Sequence, residues 1–510
     1  MKHIKYLLLT LTIIVGLTGC DMGDFGDLNK NPNKPSDAYT SMLFTYSSRY
    51  VRNFVMTSSS YDPWPMEWTG YLSESKNNQY GPLQTTVNFG TANYYRYAIK
   101  NLNTIISMNE DAAIKNTAIV ASFGSNDNQI AVAKTLRAFF YMTLTDILGP
   151  IPYSDAFKGE SDDIWTPKFD SQESIYASLD AELQAAFAQF DTNGSLTDAD
   201  ILYKGDISKW KKFNATIRML MAIKMADVDA TNGKVRFAKA YADGGMTEVK
   251  DGFNYTFDSQ TNGWSWMYYI GNTSYSSATF NFVPNSVIVN ALKDYKDNRL
   301  FTYFDLIGYK GNRTGDPTDF NAYYGVPFGL ESNDAVTAAA SKCCSVAAKY
   351  CEQSATYGVI TTARALLVQA EAAELGWITA DPKALYEAGI RASFEFSGAE
   401  GVEDYIKTTK VALSTDKTEA LKQIVMQRYL AGFLTDGVEA WSDWRRYNIP
   451  VLPIEAGQAV NGITVYPYRM QYADTDKQYN TENAKAAIDQ YLGGSDNRWK
   501  RVWWDTKDNI

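Results

Sequence analysis

The chain has 510 residues, of which 45% are hydrophobic and 14% aromatic, and it carries a formal net charge of −10. Its length allows one large domain or several average ones, and its acidic balance offers no basic footprint for nucleic acid. The only histidine is His3, in a segment expected to be removed, so the mature chain lacks imidazole for Ser-His-Asp or Cys-His catalysis and for metal ligation.

Residues 1–19 read as a signal peptide. Lys2, His3 and Lys5 precede the apolar run Tyr6–Leu17, which is too short to span a bilayer. Leu17-Thr18-Gly19-Cys20 resembles the bacterial lipobox, in which the cysteine is lipidated. Two or more acyl chains anchor a protein stably, so Cys20 is expected to tether the mature chain to a membrane. Residues 20–35 then form an acidic linker. Asp21, Asp24 and Asp27 fit a solvated linker and also resemble the surface-export signal of Bacteroidota lipoproteins.

From Ser36 onward the chain reads mainly as helices. Met42, Leu43, Tyr46, Tyr50 and Phe54 recur at helical spacing. Tyr61–Gly81 interrupts this with Pro63, Pro65 and Gly70, and holds Trp64, Trp68 and Tyr80 among small polar residues. Apolar stripes resume at Tyr95–Ile106 and Val132–Ile147, the second stopped by Gly149-Pro150. Asp170 with Glu173 has the spacing of a capping box for the stripe Ile175–Phe187. A fifth stripe runs from Trp210 to Met225.

Residues 244–350 are rich in Gly, Asn, Ser, Thr and aromatics and poor in periodic stretches. Within them, Gly263–Tyr275 carries Trp264, Trp266 and Tyr275 beside glycine and serine, which keep backbone open to a ligand. Indole and phenol rings bury large area while keeping one polar tip wet, and an electron-rich ring face suits the C–H side of a sugar. The alternation 264/266/268 also fits a strand with core-facing rings. Helices return at Thr361–Leu375, at Asp381-Pro382, at about Thr418–Leu434 and at Thr481–Leu492. Cys343, Cys344 and Cys351 allow at most one internal disulfide, and if this Ala-rich stretch is a helix, Cys344 and Cys351 stand two turns apart and cannot pair without unwinding.

Few catalytic signatures appear. Ser73-x-x-Lys76, Ser208-x-x-Lys211 and Ser495-Asp496-Asn497 lack the Lys-Thr-Gly that would complete a penicillin-binding site. Asp227-x-Asp229 reads as a helix end rather than a calcium loop. On spacing alone Glu371 and Glu374 read as carboxylates of a solvated helix face, the alternative being a hydrolase using two carboxylates across a cleft. No cofactor or metal is expected.

Taken in order, several segments resemble the SusD/RagB family of nutrient-binding outer-membrane lipoproteins, in its SusD-like branch. They are the lipobox with its acidic tail, Asn29–Asn33, Ala133-x-x-Leu136-Arg137-Ala138, Asp146-x-x-Gly149-Pro150-Ile151-Pro152-Tyr153, and Tyr203-x-Gly205-Asp206 with Trp210-x-Lys212-Phe213-Asn214. Asp297–Leu300, Ala370–Trp377, Tyr386–Ser393, Arg469–Tyr472 and Val502–Trp504 continue the series. The resemblance implies a mainly α fold, a tetratricopeptide-like helical solenoid bearing a large irregular aromatic-rich insertion. It implies a non-catalytic lid over a SusC-like TonB-dependent transporter, capturing oligosaccharides or, in some members, peptides. Arg137, Trp210 and Glu371 read as buried packing and ion-pair residues. Composition alone nominates Trp64, Trp68, Tyr80, Trp264, Trp266 and Tyr275 as ligand contacts.

Overall fold

The computed structural model describes residues 38–54, 64–74, 88–259, 265, 267–268, 282–306, 315–327, 330, 342–435, 437–453 and 466–506. Its longer helices are α1 (Thr40–Ser48), α2 (Lys100–Glu110), α3 (Asn126–Leu148), α4 (Gln172–Gln189), α5 (Ile207–Lys224) and α6 (Ala230–Asp243). They continue with α7 (Ser286–Asp294), α8 (Thr362–Glu374), α9 (Pro382–Ser397), α10 (Lys417–Ala431), α11 (Gly437–Tyr447) and α12 (Thr481–Tyr491). Consecutive helices pack as pairs, α2 on α3, α3 on α4, α5 on α6 and α8 on α9. This is the expected mainly α, tetratricopeptide-like scaffold. Among the described residues no helix is long and apolar enough to cross a membrane.

Local chemistry sets the helix ends. The carboxylates of Asp206, Asp229, Asp381 and Asp416 each accept an N–H in the first turn of α5, α6, α9 and α10. Asp229 therefore ends a turn and starts a helix, as its neighbourhood suggests. Gly149, Gly376 and Gly493 take positive φ where α3, α8 and α12 stop. Gly205 is required for another reason. At its φ of +83° a Cβ would lie 2.3 Å from the Leu196 carbonyl oxygen.

Three local readings change. The cap of α4 is Ser171, whose hydroxyl accepts from Ser174 N at 3.1 Å. Asp170 instead sits in the short strand Phe169–Asp170, its carboxylate taken by Ser154. In α1 the buried side is Phe44 and Ser47, while Met42 and Tyr46 are exposed; Tyr46 rests on the rings of Tyr50 and Tyr97 at the surface. Near Cys343, an Ala-rich helix is replaced by the strand Ser345–Val346 and the 3-10 turn Ala348–Cys351. None of the three thiols is in a disulfide and all are buried, and burial pushes those of Cys343 and Cys351 up to about 12.

Short strand pairs fasten the irregular segments to the helices. Leu72–Glu74 pairs antiparallel with Phe282–Pro284, and Phe253–Thr256 with Thr356–Ile360. Two buried polar hubs set the helix register. Asp146 of α3 accepts from Lys224 Nζ at 2.7 Å, Tyr176 Oη at 2.5 Å and Trp504 Nε1 at 2.8 Å, joining α3, α4, α5 and the C-terminal tail. Glu371 of α8 is fully buried against Arg428 of α10, Arg446 of α11 at 2.7 Å and Tyr447 Oη at 2.6 Å. Trp210 is likewise buried, donating to Asp200 at 2.7 Å, and Arg137 pairs with Glu182 at 2.7 Å. Glu371 and Trp210 hold the buried places expected of them, and Arg137 makes the expected ion pair from a half-buried position.

Candidate functional site

The segment between α3 and α4 exposes two aromatic rings, Phe157 and Trp165. Its two ends are tied as strands, with Ile151 opposite Asp170 and Pro152 opposite Phe169. The Asp170 carboxylate closes the base by accepting from Ser154 N at 2.7 Å and Ser154 Oγ at 2.9 Å. From the far side, Asn480 Nδ2 donates to Pro167 O at 2.6 Å and Asn483 Nδ2 to Thr166 O at 2.8 Å. The loop is thus held at both ends and along its return limb.

Trp165 sits on this return limb and is 70% exposed. One face of its indole lies over Gly159, where an added Cβ would come within 2.8 Å of the ring. Its Nε1 donates to Asp163 Oδ1 at 2.7 Å, and Asp163 reaches that position with a φ of +58°, which Asp tolerates better than most residues. The carboxylate at the N–H edge fixes the ring's tilt and enriches its π face in electrons. The second face is left to solvent.

Two cavities meet at Phe157, Trp165 and Pro167. The larger, about 580 Å³, lies between the loop and the outer side of α2, which contributes Lys100, Asn103, Thr104 and Ser107. These residues stand at i, i+3, i+4 and i+7 and so share one face of the helix; the opposite face buries Leu102, Ile105 and Ile106. The smaller, about 230 Å³, is lined by rings, including Tyr95, Phe169, Tyr472 and Tyr479. Its carboxyl group, Asp476, accepts from Thr91 Oγ1 at 2.9 Å, and burial raises its pKa.

Of the residues nominated from composition, Trp64 and Trp68 lie among the described residues. Trp64 and Trp68 are 3% and 2% exposed. Their rings meet each other at 5.0 Å and Trp441 at 5.4 and 5.3 Å, all edge to face. That is core packing, and neither ring presents a free face to a ligand. Tyr80, Trp264, Trp266, Tyr275 and Cys20 lie outside the described residues. The stretch around Trp264 and Trp266 has two described anchors: Ser265, whose Oγ is 2.8 Å from Tyr357 Oη, and Met267, which is buried.

The profile of the SusD-like_2 family, described as "Starch-binding associating with outer membrane", matches residues 32–473. The chain belongs to this SusD-like family. No curated protein sequence matches it. Among solved structures, a SusD homolog from Bacteroides fragilis aligns at TM-score 0.76 with 22% identity, covering 92% of this chain and 100% of that one. A chitin-binding SusD homolog from Flavobacterium johnsoniae aligns at TM-score 0.71 with 24% identity, covering 91% and 99%. A chitin-binding protein aligns at TM-score 0.74 with 24% identity, covering 92% and 100%. At these identities the structures establish the SusD-like fold.

Within that fold, sequence reading overlooked Trp165. It stands between Asp163-Ile164 and Thr166-Pro167, eight positions after Phe157 and four before Phe169, without the clustered rings of Tyr61–Gly81 or Gly263–Tyr275. The available signal was its position, just after a Gly-Pro helix stop and just before a capped helix, where loops carry exposed rings.

Proposed function

We propose that this SusD-like protein is a cell-surface lipoprotein that captures oligosaccharides and delivers them to a SusC-like TonB-dependent outer-membrane transporter, acting as its lid. The observation that carries this reading is the family match across residues 32–473. The chitin-binding relatives support a glycan ligand, and the lipobox at Cys20 supports the anchor. Tyr80, Trp264, Trp266 and Tyr275 are the proposed ligand contacts. A hydrolase built on Glu371 is disfavoured, because two arginines hold that carboxylate ionised in the core, at about 2.

Tagged protein drawn from gently solubilised, crosslinked outer membranes is expected to bring a large TonB-dependent barrel in near-equal amount. Recovery of the protein alone after crosslinking would remove the lid role. Exchanging Trp264 and Trp266 together for Ala is expected to weaken oligosaccharide binding about tenfold or more with the thermal midpoint unchanged. Titration calorimetry beside a melting curve reads both, and unchanged affinity in the folded double variant would take that stretch out of the site.

A further inference from the structure

We infer that the Trp165 groove is a carbohydrate site, built of residues other than those nominated above, that binds a neutral oligosaccharide of pyranose units. The inference rests on the glycan-binding reading just given and adds a location and a binding mode to it.

The argument starts from the state of the ring. An indole 70% exposed is costly in contact with water, and a mobile side chain could fold down to relieve it. Here Gly159 beneath and Asp163 at the N–H edge hold it in place. Preorganisation of this kind lowers the entropic cost of binding. A flat, electron-rich face with its N–H already engaged is suited to the C–H face of a sugar ring, because it offers area without asking for another acceptor.

The wall opposite supplies the polar complement. Lys100, Asn103, Thr104 and Ser107 run along one helix face over a length of about 10 Å at 1.5 Å per residue, roughly that of two pyranose units. Their bonding capacity is available. Asn103 uses its carbonyl oxygen for Arg137 at 2.5 Å, and its amide nitrogen has no hydrogen-bond partner among the described residues. Thr104 donates to Lys100 O at 3.0 Å, which leaves its oxygen as an acceptor. Lys100 and Glu160 carry one charge of each sign at the rim. A wall of mixed donors and acceptors with balanced charge matches vicinal hydroxyls better than an anionic sugar or a lipid surface. The adjoining ring-lined cavity, with Tyr479 79% exposed, continues the track for a longer chain.

The test uses the full-length protein in detergent, titrated calorimetrically with malto-, cello- and chito-oligosaccharides of six units. Two variants separate platform from fold. Trp165→Ala removes an exposed ring. Gly159→Ala keeps the ring but drives a Cβ to 2.8 Å from it, so the indole must leave its seat. Both are expected to melt like the parent, and each to weaken one class of sites about tenfold, the weight of one aromatic contact. Unchanged affinity and stoichiometry in folded Trp165→Ala would overturn the inference while leaving the glycan-binding function intact. Absence of binding by the parent protein to every oligosaccharide would overturn both. Unchanged sugar binding with loss of the co-purifying barrel would also overturn it, by assigning the groove to protein docking.

Discussion

Glu371→Gln is expected to destabilise the fold by about 3–5 kcal/mol, the range found when one partner of a buried ion pair is removed. The carboxylate is fully buried, and it is the counter-charge of Arg428 and Arg446 together. An amide of the same shape leaves both guanidinium groups in the interior with one negative partner fewer. Asp443, 3.1 Å from Arg428 and 2.6 Å from Arg364, already serves two arginines. The same group dictates a pH dependence. Desolvation alone would raise the Glu371 pKa, but Arg428, Arg446 and the Tyr447 hydroxyl overcome it and lower it from the ordinary 4.5 to about 2. A depressed carboxylate contributes its full stability above the unfolded value and loses it as the pH falls through the folded one. Acid unfolding of the parent should therefore draw on Glu371 between about pH 4.5 and pH 2, and that component should be missing from Glu371→Gln. Denaturant midpoints across this range measure both effects. A triple variant with Met at 371, 428 and 446 should recover much of the loss, since well-packed apolar replacements of buried ion pairs are often neutral. A Glu371→Gln protein within about 1 kcal/mol of the parent would contradict the whole account of this hub.

Much of this scaffold is written in local chemistry. Gly149-Pro150 stops α3 and Asp381-Pro382 starts α9 because φ preferences and side-chain capping act within a few residues. Trp210 is readable as buried because it opens the apolar stripe of α5, whereas spacing alone puts Glu371 on a solvated face, its two arginine partners lying 57 and 75 positions away. Other features depend on partners far along the chain. Asp146 meets Trp504 across 358 positions, and no window of sequence contains both. Asp170 has the spacing of a cap, yet Ser154 claims its carboxylate once the two strands pair. Met42 keeps helical register with Phe54 but faces solvent, because the turn of α1 that packs inward is the one bearing Phe44 against Phe123 and Trp210.

The candidate site was less legible for a related reason. Aromatic richness marks a segment as able to stack, without saying whether its partner is a sugar or another ring of the same chain. Trp64 and Trp68 sit four positions apart on one short helix, a spacing that brings their rings together, and Trp441 of α11 packs against both. Trp165 lacks any such neighbour and stays open. Exposure of one ring face marks the platform, and composition does not report it.

This contrast sets up the second large effect. Trp68→Ala is expected to cost about 3–5 kcal/mol, as for other large-to-small changes at buried tryptophans. The loss goes beyond apolar transfer. Trp441 contacts Trp68 at 5.3 Å, is stacked on its other side by the Arg445 guanidinium at 3.7 Å, and donates Nε1 to Pro467 O at 3.0 Å. A cavity beneath the Trp441 ring would loosen Arg445, which also donates to the Asp146 carbonyl at 2.7 Å and so reaches the polar hub around Asp146. Destabilisation should therefore spread to the contact between α3 and α11. In the protein that remains folded at low temperature, oligosaccharide affinity should stay within about twofold of the parent, because a ring with no exposed face has no ligand contact to lose. Trp165→Ala is expected to show the reverse, with normal stability and weakened binding. A Trp68→Ala protein that melts like the parent yet binds sugar poorly would move Trp68 from the core to the site, and would require the short helix Trp64–Trp68 to open when ligand arrives.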